Sequence, residues 1–83
     1  MHKLPIESSL DLHLFAPREV KAVLLDYLEA AHAAGFREVR IIHGQGIGVQ
    51  RQIVQHALDV HPLVVEFWDV WHLGATGVKL ADR

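Results

Sequence analysis

The sequence predicts an α/β chain folded as an α+β two-layer sandwich, in the order βαβαββ, with a four-stranded mixed sheet and both helices on one face. Three observations predict it. Short strand-like segments alternate with segments whose apolar residues recur at helical spacing. Each of the two helical segments follows a strand, so right-handed crossovers place both helices on the same side of the sheet. Two amphipathic helices and four short strands can then share one core only as two layers.

Met1 to Ser9 reads as a lead-in, with Pro5 and the Ser8–Ser9 pair as breakers, and residues 10–83 as one domain. In the first strand Leu10, Leu12 and Leu14 alternate with Asp11 and His13, the period of a half-buried strand. Pro17 suits the first turn of a helix, where its missing N–H costs nothing. Val20, Leu24, Tyr27, Leu28 and Ala31 give that helix one apolar stripe, and Gly35 stops it. Val39 to Ile42 is the second strand. Val49, Ile53, Ala57 and Leu58 mark a shorter helix that His61-Pro62 ends. Val64 to Trp68 reads as the third strand and Ala75 to Leu80 as the fourth, after a turn containing Gly74. Trp68 and Trp71, either side of Asp69, read as packing residues or a hairpin cover, with stacking on a base as the alternative.

Eighty-three residues make one small domain, and a formal net charge of −2 argues against strong non-specific binding to nucleic acid. The chain has no cysteine, hence neither disulfides nor a thiolate metal site. The N-terminus is too short and polar for a signal peptide, and no apolar run approaches a membrane span. A cytoplasmic monomer with no membrane association is the default expectation.

The chemistry concentrates in VRIIHGQGIGVQR, residues 39–51. A β-branched run leads into His43 and then into glycines at positions 44, 46 and 48, just before a helix begins. Glycines permit a tight turn with exposed N–H groups, and the helix adds the positive end of its dipole, so the turn suits an anion, most often a phosphate. The third glycine comes one residue too soon for a dinucleotide fingerprint, and a Walker loop would need Gly-Lys-Ser or Gly-Lys-Thr. Parallel first and second strands bring His13 and His43 to the same carboxyl rim, where open α/β sheets bind ligands. Two imidazoles and the Asp11 carboxylate can do acid–base work on a phosphodiester; the plainer alternative is local hydrogen bonding that holds the turn. A rim position for His43 implies a side chain that adds little to the core. Asp11, His13 and His43 are also a possible divalent-metal set, though no spacing identifies one and no cofactor is certain.

DLH in the first strand, IIHGQGIGVQR and GATGVKL together resemble the small MutS-related domain, the Smr family, over Leu10 to Leu80. DLHLFAPREV further resembles its short stand-alone bacterial members. The resemblance implies a fourth strand that runs antiparallel and inserts between the second and third. It also implies DNA or RNA as partner and, since several members are nicking endonucleases or endoribonucleases, a possible endonuclease; a non-catalytic binding module is the alternative. Asp11 and His13 match the family's acidic–histidine element; His43, Gly44, Gly46 and Gly48 match its glycine loop; Arg51 matches a basic residue at the start of the second helix. With Gln45 these residues form the expected phosphate site, and Arg18 is a flanking contact. Three departures stand out. Leu14 replaces a glycine, Gln45 replaces a lysine between the first two loop glycines, and the glycine-rich hairpin tip is reduced to Gly74.

Overall fold

The computed structural model describes residues 7–46 and 48–82, so most of the expected lead-in, Met1 to Ile6, lies outside the described residues. Four strands, β1 (Ser9–Asp11), β2 (Glu38–Ile42), β3 (Val64–Val70) and β4 (Ala75–Leu80), form one sheet in the order β1-β2-β4-β3. β1 runs parallel to β2, and β4 pairs antiparallel with both β2 and β3. The helices α1 (Pro17–Ala33) and α2 (Val49–Asp59) share one core with the sheet. This is the βαβαββ sandwich expected, with β4 inserted between β2 and β3.

The core follows from residue parity. Val39 and Ile41 of β2 and Val78 and Leu80 of β4 meet Val20, Leu24, Leu28 and Ala31 of α1 and Val54, Ala57 and Leu58 of α2, all of them buried. Burying one such leucine or valine stabilises the fold by about 1.5–3 kcal/mol. Pro17 occupies the first turn of α1, and the Glu19 carboxylate accepts the Ala16 N–H at 2.9 Å, satisfying a donor the helix cannot. At the other end Gly35 takes φ +91°, and the Phe36 and Gly35 N–H groups donate to the carbonyls of Ala31 and His32. That pairing is a Schellman stop, open to glycine because its left-handed backbone carries no Cβ.

Two expectations are corrected. β1 begins at Ser9 and ends at Asp11, and Leu14, expected as the third leucine of a half-buried strand, is 87% exposed. The cause is local: Asp11 Oδ1 accepts the His13 N–H at 3.0 Å, which turns the chain out of the sheet. β3 runs two residues past Trp68, to Val70, and carries an irregularity between Val64 and Glu66 that suits an edge strand. Between β3 and β4 lies a 3-10 turn, Trp71–Leu73, closed by Gly74 at φ +59°. Trp68 covers part of the sheet's other face. A Cβ on Gly77 would lie 2.3 Å from its ring, so only glycine fits beneath it.

No described helix is long and apolar enough to cross a membrane.

Candidate nucleic-acid site

Both helices start at the carboxyl rim of the parallel β1–β2 pair. Gln50 on α2 donates to the Phe15 carbonyl just ahead of α1, which ties the two helix starts together. Beside them the segment from His43 to Gly48 leaves β2 and enters α2, with Gly44 at φ +89° and Gly48 at φ +90°. A Cβ at Gly44 would lie in ordinary contact, 3.4 Å, with the Cβ of His13. The two expected motifs therefore do meet, at Gly44.

They meet from different sides. Val39, Ile41 and His43 continue one alternation, so His43 lies on the helix side of the sheet and is only 6% exposed. Its Nδ1–H donates to the Gly44 carbonyl at 3.0 Å, and its Nε2 lies 2.9 Å from the Thr76 hydroxyl. Because a carbonyl can only accept, Nδ1 carries a proton, and in the neutral imidazole Nε2 then accepts from Thr76. His43 is thus a buried, doubly bonded residue, which corrects the expectation of a rim side chain of little weight in the core.

Asp11 and His13 are half-exposed. Asp11 Oδ1 pairs with His13 Nδ1 as well as with the His13 backbone N–H. The His13 side-chain bond, seconded by that backbone N–H, holds the Asp11 carboxyl below its usual range. Pairing through Nδ1 leaves His13 Nε2 directed away from the carboxylate.

The 3-10 turn after β3 docks onto the glycine loop. The Gly74 carbonyl accepts the N–H groups of both His43 (3.0 Å) and Gly44 (2.9 Å), so the first loop amides are satisfied internally. Gln45, at the family's lysine position, donates its side-chain N–H to the Trp71 carbonyl at 3.0 Å. Arg51 lies in the first turn of α2, paired with Asp69 through Nε and Nη2, each at 2.9 Å. Its guanidinium sits 4.3 Å from the centroid of the Trp71 ring. The bidentate bond holds Asp69 below the usual carboxylate range and Arg51 above its ordinary value. Gln55 completes the network, donating to Asp69 at 2.8 Å and to Thr76 at 3.1 Å. A continuous chain of hydrogen bonds thus joins Arg51, Asp69, Gln55, Thr76 and His43.

Between loop and turn lies a cleft of about 420 Å³, lined by the loop glycines, Gln45, Arg51, Gln52 and Trp71. His43 also contributes to this wall; Asp11 and His13 do not. Arg18 is exposed at the start of α1 and is not among the lining residues either. Among the described residues, no three His, Asp or Glu side chains converge as metal ligands.

A family model, the Smr domain, matches residues 10–81. The chain belongs to the Smr family. It is 44% identical over 79 residues to the endonuclease MutS2 of Helicobacter pylori strain 26695, an alignment that covers 92% of this chain and 10% of that protein. It is also 44% identical over 57 residues to the endonuclease MutS2 of Caldicellulosiruptor saccharolyticus, covering 68% of this chain and 7% of the relative. The Smr chain thus spans about a tenth of the length of these relatives. Among solved structures, the Smr domain of Thermus thermophilus MutS2 superposes with a TM-score of 0.85 at 30% identity, over 90% of this chain and 99% of that one. YdaL, a stand-alone small MutS-related protein from Escherichia coli, superposes with a TM-score of 0.81 at 28% identity, over 94% and 67%.

Sequence reasoning missed four residues that contact the candidate site: Gln55, Asp69, Thr76 and, as the partner of Arg51, Trp71. A signal existed for Thr76, a lone hydroxyl on the apolar alternation Thr76, Val78, Leu80. Asp69 shares strand parity with the core-packed Phe67, and an acidic residue there needs a partner.

Proposed function

We propose that this Smr domain binds DNA or RNA with a backbone phosphate at the glycine loop and cleaves the phosphodiester, with His13 as the proton-transfer group. The Asp11–His13 pair carries the reading. Asp11 fixes the tautomer that leaves Nε2 as a base and stabilises the imidazolium it becomes. Water or a ribose 2′-OH attacks phosphorus, its proton passes to His13 Nε2, and the departing oxygen is protonated from solvent. The phosphate is seated by the backbone amides of Gln45, Gly46 and Gly48 with the N-terminus of α2, Gly44 shaping the turn beneath them, and Arg51 Nη1 and exposed Arg18 extend the contact. His43 acts by position: its two hydrogen bonds set the loop's path. The name endonuclease on the MutS2 relatives agrees with this reading.

A second reading, binding without cleavage, is favoured by Gln45. Its amide is spent on the Trp71 carbonyl where the family's usual lysine would offer a cation. Incubation with supercoiled plasmid and with structured RNA, each with and without chelator, separates the two. Nicking or RNA cleavage supports the first reading, and retention of nucleic acid without any cut selects the second. Loss of cleavage with chelator alone would add a divalent metal to the requirements.

A further inference from the structure

The cleft holds a feature that phosphate binding does not use. Trp71 is 66% exposed, and one face of its indole rests on the Arg51 guanidinium. Only part of the ring is covered by that contact, and Trp71 lines the cleft. The turn that carries it is fixed on both sides: the Gly74 N–H donates to the Trp71 carbonyl at 3.1 Å, and the Gly74 carbonyl takes two loop amides. Asp69 fixes Arg51 in turn, so the indole is held as a preorganised platform.

We propose that this platform stacks an unpaired nucleobase, so that the site takes nucleic acid at single-stranded segments, bulges or ends. The inference rests on the nucleic-acid reading above and names the part of the ligand that reading leaves undefined. Three observations support a base as the occupant. The platform adjoins the glycine loop: Gln45 donates to the Trp71 carbonyl, and loop and indole line one cleft. At about 420 Å³ the cleft falls in the range of small-ligand sites. Its rim offers amide groups suited to a base edge: Gln52, and Gln45 through the oxygen its bond to Trp71 leaves open. A base within a duplex has both faces covered by its neighbours, so stacking on Trp71 requires one already unstacked. The cation behind the indole holds the ring in place from the far side.

The test uses the 83-residue chain, DNA and RNA single strands, the matching duplexes, and an abasic strand of equal length and charge. Trp68→Phe, on the opposite sheet face, leaves Trp71 as the sole indole and reports its environment by fluorescence. The intact single strand is expected to quench Trp71 and to bind about 5- to 150-fold more tightly than the abasic strand. Trp71→Ala should lose the same factor without changing the salt slope, because stacking releases no counterions. Trp71→Phe should keep most of the affinity, which a purely structural defect would not predict. DNA and RNA arms distinguish the two sources of the base. Equal binding of intact and abasic strands, or binding with unchanged Trp71 emission, overturns the stacking proposal and leaves the nucleic-acid reading standing. No binding to any strand at low salt overturns both.

Discussion

Gly74→Ala tests how the glycine loop is held. Gly74 has φ +59°, and a Cβ there would lie 2.8 Å from both the Gly44 carbonyl carbon and the Gln45 side chain. Left-handed backbone costs a non-glycine residue about 1–2 kcal/mol. Backbone at 2.8 Å cannot yield as a flexible side chain would, so the turn must separate from the loop. Separation weakens the two hydrogen bonds that the Gly74 carbonyl accepts, each a net contribution of about 0.5–1.5 kcal/mol. The combined loss is about 2–5 kcal/mol, and each kcal/mol lowers Tm by about 4–8 °C in a domain this small. Thermal and urea unfolding followed by circular dichroism measure it. Gly46→Ala is the internal control: no atom lies within 4 Å of its Cβ position and its φ is not positive, so a change within about 0.5 kcal/mol is expected. If Gly74→Ala is as stable as wild type, or if Gly46→Ala is equally damaging, the turn does not brace the loop as described.

Thr76→Val removes the hydroxyl between His43 and Gln55; the lost bond at a buried imidazole, about 1–3 kcal/mol, outweighs the gain of an apolar group of about 0.8 kcal/mol, so a lower urea midpoint is expected, while Thr76→Ser should stay close to wild type. Gly77→Ala should displace Trp68 from the sheet and shift its emission toward that of exposed indole, with unchanged emission as the contrary result. Asp69 is depressed below its ordinary value of 3.8, so its pairing with Arg51 stabilises the fold fully above that pH and is lost as pH falls through the folded value. Asp69→Asn should therefore flatten the acid limb of stability below about pH 4, and an unaltered limb would deny the pair that role. Gln45→Lys should tighten nucleic-acid binding and steepen its salt dependence by about one unit, read from affinities at several salt concentrations.

Element order and layering were legible because each rests on local periodicity: the stripe from Val20 to Ala31, the alternation of β2, the glycine stops. Contacts between elements distant in sequence were not. The bonds that link Arg51, Asp69, Gln55, Thr76 and His43 span 14 to 33 positions, and no short-range pattern encodes that. The place where β1 ends was hidden for a different reason. The Leu10-Leu12-Leu14 period continues past it, but the Asp11 carboxylate captures the His13 amide and the turn prevails over the alternation. For His43 the parity is ambiguous in sequence because the backbone leaves the sheet there; in the structure it keeps the parity of Val39 and Ile41 and lies inside. The glycine loop and the Asp11–His13 pair were read directly, since both lie within a few residues of sequence.

The most direct measurement is the cleavage rate of wild type, His13→Ala and His13→Gln on one substrate, with Tm recorded for each. His13 is half-exposed, so both variants should keep Tm near that of wild type while the rate falls by about 10²–10⁴-fold. Cleavage by either variant at the wild-type rate, with the fold intact, would contradict His13 as the proton-transfer group.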